Sequence, residues 1–323
     1  MYKRFNGGIF PQPGIPQKVP KLKKVTYISY GVLDTLAVTD DGSVWSWGVG
    51  YQQFDDGGGG SYFLEPLKIP NLQNIVKVSA SHHLNAALDK DGKVWVWRLS
   101  YSSKGRGTDE IEPQVIDKLT NIVDIIQSGQ NSLTVLKEDR TVWTWSLIGV
   151  ANTDSKPQFV ISNAPTQVEG LTDIVKIASG PIARHQLALK QDGTVWIWGY
   201  NEMGQLGKEP SLAYEKVPSQ VGGLHDVIDI SAGTYHSLAL KKDGTVWKWG
   251  TKVEYGAIAA KVTPIPLAQV KGLTDIRTIS SGTNHDAAIK QDGTLWIWGD
   301  NYFGQLGDGT NLSKETPAQV VFP

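Results

Sequence analysis

Short apolar runs, and stretches where apolar and polar residues alternate, return along the chain in one fixed order six times over. The fifth copy shows the unit: Val227-Ile-Asp-Ile-Ser-Ala-Gly233, then His236-Ser-Leu-Ala-Leu-Lys-Lys-Asp-Gly244, then Thr245-Val-Trp-Lys-Trp-Gly250. Runs this short, bounded by turn residues, predict strands rather than helices. Asp-Gly between the second and third runs predicts a tight hairpin, because glycine enters the left-handed region without a steric penalty. The turn is written Asp41-Gly42, Asp91-Gly92, Asp192-Gly193, Asp243-Gly244 and Asp292-Gly293. The third copy has Asp139-Arg140 instead. An arginine held left-handed costs about 1 kcal/mol, so strain or another turn type is expected there.

After each hairpin the chain runs through a long polar stretch into a segment led by proline: Pro66 to Ile69, Pro113 to Ile116, Pro165 to Val168, Pro218 to Val221, Pro266 to Val270 and Pro317 to Val320. Proline is tolerated on an edge strand and not in mid-sheet, so these segments predict the outer strand of a four-stranded unit. All twelve tryptophans fall in Trp-x-Trp pairs on the third strand: Trp45/Trp47, Trp95/Trp97, Trp143/Trp145, Trp196/Trp198, Trp247/Trp249 and Trp296/Trp298. Their spacing of 50, 48, 53, 51 and 49 residues marks a repeat architecture. The expected fold is all-β, a single β-propeller domain over residues 1–323 with four-stranded blades near 20–70, 71–116, 117–168, 169–221, 222–270 and 271–320. Six blades are predicted, with seven as the alternative if the first fifteen residues hold another. Pro16-Gln-Lys-Val19 resembles a further outer segment, so pairing of the N- and C-terminal segments is expected to close the ring. Residues two apart share a face, which puts both tryptophans of a pair in the core between blades.

Composition narrows the chemistry. Thirty-one Lys and Arg balance 32 Asp and Glu, so no strong overall field attracts nucleic acid or an anionic membrane. The basic cluster Lys18, Lys21, Lys23 and Lys24 reads as a solvated strand edge. The absence of cysteine removes disulfides, thiolate metal sites and cysteine nucleophiles. Met1 to Phe10 holds no apolar run long enough for a signal peptide, and no stretch of eighteen apolar residues occurs. A soluble monomer without membrane insertion is expected. The run Asp55-Asp56-Gly57-Gly58-Gly59-Gly60 lacks the Lys-Ser/Thr of a phosphate loop and reads as a flexible tip.

Copies four and six carry a longer signature, Asp192-Gly-Thr-Val-Trp-Ile-Trp-Gly-Tyr-Asn-Glu-Met-Gly-Gln-Leu-Gly207 and Asp292-Gly-Thr-Leu-Trp-Ile-Trp-Gly-Asp-Asn-Tyr-Phe-Gly-Gln-Leu-Gly-Asp-Gly-Thr310. These resemble the repeat of the regulator of chromosome condensation family in its bacterial style, and in degraded form the resemblance covers residues 16–320. It implies a propeller, usually seven-bladed, that acts by binding other proteins. One bacterial branch comprises secreted propeller inhibitors of β-lactamase, to which the chain is similar in being a compact set of tryptophan-bearing repeats. The resemblance thus favours a secreted bacterial location and an inhibitor-like role. The evenness of the repeat leaves no room for the wedge insertion of the nuclear exchange factors, which makes guanine-nucleotide exchange on a small GTPase the alternative.

The Gly-Gln-Leu-Gly loop survives only at Gly204–Gly207 and Gly304–Gly307; Val49 to Glu65, Leu99 to Glu112, Leu147 to Ala164 and Thr251 to Thr263 are rewritten. Loops on a rigid scaffold are the usual seat of binding. Eleven aromatic residues collect after the tryptophan strands: Tyr51, Phe54, Tyr62, Phe63, Tyr101, Phe159, Tyr200, Tyr214, Tyr255, Tyr302 and Phe303. Large side chains with few rotors are the chemistry of protein interfaces, so these residues are the candidate protein-binding face. Divergence among the loops argues against the other alternative, a lectin that repeats one sugar pocket per blade. His185, His236 and His285 hold equivalent places in three consecutive copies. A hydrogen-bonding role at the strand start is expected for them in preference to zinc binding. No nucleophile elbow, zincin motif or phosphate loop is present, so neither catalysis nor a cofactor is expected.

Overall fold

The computed structural model describes every residue except 1, 2, 6, 7, 11–13, 32, 33, 54–58, 82, 83, 98–111, 129–131, 154, 155, 162, 163, 181, 256–259 and 323. Six four-stranded antiparallel blades follow one another along the chain, the fold class of a six-bladed β-propeller. Internal contacts divide them between two compact units, one principally Lys18–Val168 and the other Ile9–Gln17 with Glu169–Pro323.

In the first unit, blade one comprises Val25–Tyr30, Asp34–Thr39, Val44–Gln53 and Gly59–Lys68. Blade two comprises Ile75–Ala80, Asn85–Asp89, Val94–Trp97 and the two-residue outer strand Gln114–Val115. Blade three comprises Ile122–Ser128, Ser132–Lys137, Val142–Thr153 and Thr166–Gln167, with Lys156–Ile161 paired to the far end of its long third strand. The second unit holds blade four (Ile174–Ala178, His185–Lys190, Val195–Asn201, Ser211–Gln220) and blade five (Val227–Ala232, His236–Lys241, Val246–Tyr255, Ala260–Gln269). It also holds blade six (Ile276–Ser281, His285–Lys290, Leu295–Gly299, Lys314–Gln319).

Each hairpin turn forms as the Asp-Gly pattern demands. Gly193 takes a φ of 80°, and its N–H bonds the carbonyl of Lys190 at 3.0 Å. Arg140 adopts the same turn, with a φ of 66° and a 2.9 Å bond to the Lys137 carbonyl, so the strained form is the one realised. The turn also reaches the core. In blade four the Thr194 N–H and hydroxyl both donate to Asp192 Oδ1, while Trp196 Nε1 donates to the Thr194 hydroxyl at 3.3 Å. Blades three, five and six repeat this set. Blade two has Lys93 where the threonine would be, and Asp89 takes the Trp95 indole N–H instead, at 3.0 Å.

The first tryptophan of each pair is therefore half-buried, tied to its turn in blades three to six and to Asp89 in blade two, and the second is buried everywhere except in blade one. In blades two, three, five and six the pairs pack on the valine face of the preceding blade. Trp247 and Trp249 meet Val195 and Ile197, Trp296 and Trp298 meet Leu240 and Val246, and in the first unit Trp143 and Trp145 meet Val94 and Val96. Truncating one of the buried rings to alanine would cost about 3–5 kcal/mol. In blades one, four, five and six glycine follows the pair, for a geometric reason. A Cβ on Gly250, whose φ is 113°, would stand 2.6 Å from the Tyr235 carbonyl oxygen.

Some features add to the expectations and others correct them. The residue ahead of each first strand is left-handed: Lys24, Asn74, Asn121, Asp173, Asp226 and Asp275. Its carbonyl accepts the N–H of the following hairpin turn, as Asp173 does from Gln191 at 2.9 Å. Lys21 and Lys24 both take positive φ, so the basic cluster forms a turn and not the expected strand edge. Lys21 pairs with Glu65 and Lys24 with Asp40. Pro16–Val19 forms no strand, because Lys314–Gln319 already completes blade six; the terminal segments meet instead where Gly309 N–H bonds the Gly14 carbonyl at 3.3 Å. Among the described residues of the first fifteen, the strands are Lys3–Phe5 and Gly8–Phe10, three residues each and short of a blade.

Finally, three of the rewritten stretches are largely strand. Val49 pairs with Phe63 and Tyr51 with Ser61; Val150 pairs with Phe159; Val253 pairs with Val262 and Glu254 with Lys261. Blades one, three and five thus extend their third strands into two-stranded arms. A ladder satisfies the backbone N–H and C=O groups that an open loop would leave to water. Residues 98–111 and most of the Asp55–Gly60 run lie outside the described residues.

Candidate protein-interaction face

Blades four and six keep compact loops built around one asparagine each. Asn201 Oδ1 accepts the Leu206 N–H at 3.0 Å and its Nδ2 donates to the Glu209 carbonyl at 2.7 Å, while Gln205 Oε1 accepts the Met203 N–H at 2.9 Å. Asn301 repeats the scheme, accepting from Leu306 N–H at 2.9 Å and donating to the Thr310 carbonyl at 2.9 Å. Gln305 Oε1 takes the Phe303 N–H at 2.9 Å. The Asp308 carboxylate fastens the return of the loop, holding Lys314 Nζ at 2.7 Å and the Thr310 N–H and hydroxyl. Lys314 and then Thr310 hold this carboxyl well below the usual carboxylate range, although burial opposes them.

This framework decides what the tip presents. Blade four has Glu202-Met203 and blade six has Tyr302-Phe303 at the same positions of the loop. Tyr302 is 74% and Phe303 62% exposed. Asn311 Nδ2 donates to the Tyr302 carbonyl at 2.7 Å, which brings Leu312, 73% exposed, to the same loop. An apolar tip held rigidly in water has already lost the backbone entropy that binding would otherwise take.

Tyr200 and Tyr214 behave differently. Their rings meet edge to face with centroids 5.0 Å apart, and the Arg184 guanidinium stacks on Tyr200 at 3.7 Å. Arg184 Nη1 also reaches both oxygens of Glu202, at 3.0 and 3.1 Å. These two tyrosines spend much of their surface on one another, and Arg184 is a member of the cluster that the aromatic pattern did not reveal. Leu212 and Val217, exposed on the outer strand of blade four, were missed for the same reason.

Of the other candidates, Tyr51, Tyr62, Phe63, Phe159 and Tyr255 lie on the strands of the arms. Phe54 and Tyr101 lie outside the described residues. The structure therefore brings the described aromatic side chains together as two pairs, Tyr200 with Tyr214 and Tyr302 beside Phe303.

Two of the three histidines, His185 and His236, join neighbouring blades. His185 Nε2 lies 3.0 Å from Ser237 Oγ, and His236 Nε2 lies 2.7 Å from Asp286 Oδ1. Lys248 Nζ donates to the other oxygen, Asp286 Oδ2, at 2.7 Å. Burial pushes the Asp286 carboxyl up, but the His236 and Lys248 charges outweigh it and the net direction is down. Burial, with the His236 charge beside it, pushes His185 down to about 3. His285 is also pushed down by burial.

Comparison with known proteins places this scaffold. The profile of the RCC1-like domain family, WD40_RLD, matches residues 7–322, and the chain belongs to that family. Protein pim1 of Schizosaccharomyces pombe is 30% identical over 157 residues, which cover 42% of this chain and 28% of pim1. The chain thus matches less than a third of that relative's length. Human WBSCR16 superposes with a TM-score of 0.73 at 20% identity, covering 98% of this chain and 88% of that one. Yeast RCC1 (Prp20), solved bound to Kap60, superposes at 0.66 with 22% identity, covering 91% and 74%. At these identities the two structures show a shared fold.

Proposed function

We propose that this chain is a non-enzymatic recognition module that binds another protein through the aromatic tip of its blade-six loop, in the manner of an inhibitor or adaptor. The observation that carries the reading is the pair Tyr302 and Phe303, exposed side by side on a loop fixed by Asn301, Gln305 and Asp308. A surface that buries neither ring in its own fold has a partner's surface as the natural place to bury them. The complex of the structurally similar Prp20 with Kap60 supports the use of this fold in protein association.

Photo-crosslinking from position 302 or 303, read by mass spectrometry, identifies the partner. The double variant Tyr302→Ala/Phe303→Ser is expected to lose that partner while its melting temperature stays unchanged. Equal capture by the variant and the parent would remove the tip from the interface.

A further inference from the structure

Blades five and six enclose a cleft of about 500 Å³ that nothing above uses. One wall is the outer strand of blade five from Thr263 to Gln269, with Lys271 just beyond it; the other is Ser313–Pro317 of blade six. Lys248, Asn284 and Trp298 line it as well. A cleft of this volume is within the range of ligand sites, and its length along two edge strands suits an extended chain.

The lining is rich in hydrogen-bond donors. Lys248 spends one of its three N–H groups on Asp286, and with a side chain only 19% exposed it has little water for the others. Lys252 stands four residues further along the same strand, with Glu254 and Glu315 at 3.1 Å. Lys314 lies on the opposite wall and exposed Lys271 at the end of the near one. Four ammonium groups therefore line the cleft with a single carboxylate, Glu315, while Lys248, Lys252 and Lys314 each also hold one carboxylate outside the lining, Asp286, Glu254 and Asp308, and Lys271 lies exposed at the rim. One group has the opposite need: Asn284 Nδ2 donates to the Val253 carbonyl at 3.1 Å, while its buried Oδ1 accepts nothing.

We propose that this cleft binds an acidic peptide segment of a protein partner, a carboxylate side chain entering between Lys248 and Lys252 while a peptide N–H serves Asn284 Oδ1. A free dicarboxylate satisfies the lysines and leaves the asparagine unserved, which is why a peptide is the better occupant. The inference rests on the protein-binding reading and gives it a second, electrostatic contact. Charge-assisted bonds formed away from bulk water are strong enough to matter to recognition.

The test uses a fluorescent peptide of about twelve alternating Glu and Ala residues, its Gln-for-Glu counterpart, and free succinate as competitor. Fluorescence anisotropy is expected to show binding of the Glu peptide only, weakened about tenfold or more in the variant Lys252→Gln/Lys271→Gln. Lys242→Gln, at the blade-five turn, serves as the charge control and is expected to bind as the parent does. Unchanged melting temperatures establish that each variant is folded. Equal binding of the Glu and Gln peptides, equal loss in the Lys242 control, or displacement by succinate as potent as by unlabelled peptide would each overturn the proposal. The Tyr302→Ala/Phe303→Ser variant should bind the peptide normally, so failure of the cleft and failure of the aromatic tip are read separately.

Discussion

At the head of the second strand, blades one and two are joined by Asn85 Nδ2 donating to Asp34 Oδ2 at 2.9 Å, while blades five and six are joined at the equivalent place by His236, Asp286 and Lys248. Blades four and five put a neutral imidazole and a hydroxyl there, His185 and Ser237. The geometry is constant: the first residue of one second strand meets the residue of the next blade that stands ten positions before its first tryptophan, 50 to 52 positions on. The chemistry is not. A repeat scaffold fixes where two side chains meet and leaves open what they are, provided each buried polar group finds a partner.

The comparison is broken most sharply by removing the residue that the later blade contributes at each place. Asp286→Ala leaves Lys248 and His236 without their carboxylate and is expected to cost about 3–5 kcal/mol, whereas Asn85→Ala removes one hydrogen bond and is expected to cost about 1–3 kcal/mol. Chemical denaturation of both variants at neutral pH measures the difference. Equal losses would mean that the charged link adds nothing over the amide.

Titration sharpens it next. The unfolded chain protonates His185 near its ordinary value of 6.5, and the folded chain holds it unprotonated down to about 3. Its contribution is complete above pH 6.5 and is lost as the pH falls toward 3, at about 1.4 kcal/mol per pH unit. His285, shifted in the same direction, adds to this slope. Asp286, also shifted down, contributes above the ordinary carboxylate range and loses its share only as the pH falls through that range. Melting curves between pH 7 and 5 should show His185→Gln with a flatter profile than the parent; parallel profiles would place the acid sensitivity elsewhere.

The smallest effect compares the turns of the two units. Arg140→Gly relieves the one arginine held at the glycine position and is expected to stabilise by about 1 kcal/mol, while Gly193→Arg in blade four should destabilise by a similar amount. Melting temperatures that do not move in opposite directions would show that neighbours of Arg140 offset the backbone strain.

Much of the fold was legible before any coordinates. Asp-Gly turns, prolines of the outer strands and the tryptophan period report local requirements: a left-handed φ, a missing N–H, a face that must be apolar. The arms of blades one, three and five were not legible, because stretches such as Thr251–Thr263 mix charges and apolar residues, and only the partner strand shows which positions pair. Of the candidate face, Tyr302 and Phe303 were named from sequence as aromatic residues between a tryptophan strand and its proline-led segment. Arg184 did not, since it reaches Tyr200 by folding back across a hairpin whose register places the Tyr200 N–H on the Arg184 carbonyl.

By itself the sequence determined the blade count, the strand order and the residues at each turn, since each depends on neighbours within a few positions or on a repeat that can be counted. Tertiary structure decided which charges meet. His236, Lys248 and Asp286 come from two blades and converge because adjacent sheets pack face to face, bringing residues 38 and 50 positions apart within hydrogen-bonding distance. The cleft above them is set by the same packing, and no local pattern encodes the separation of two sheets.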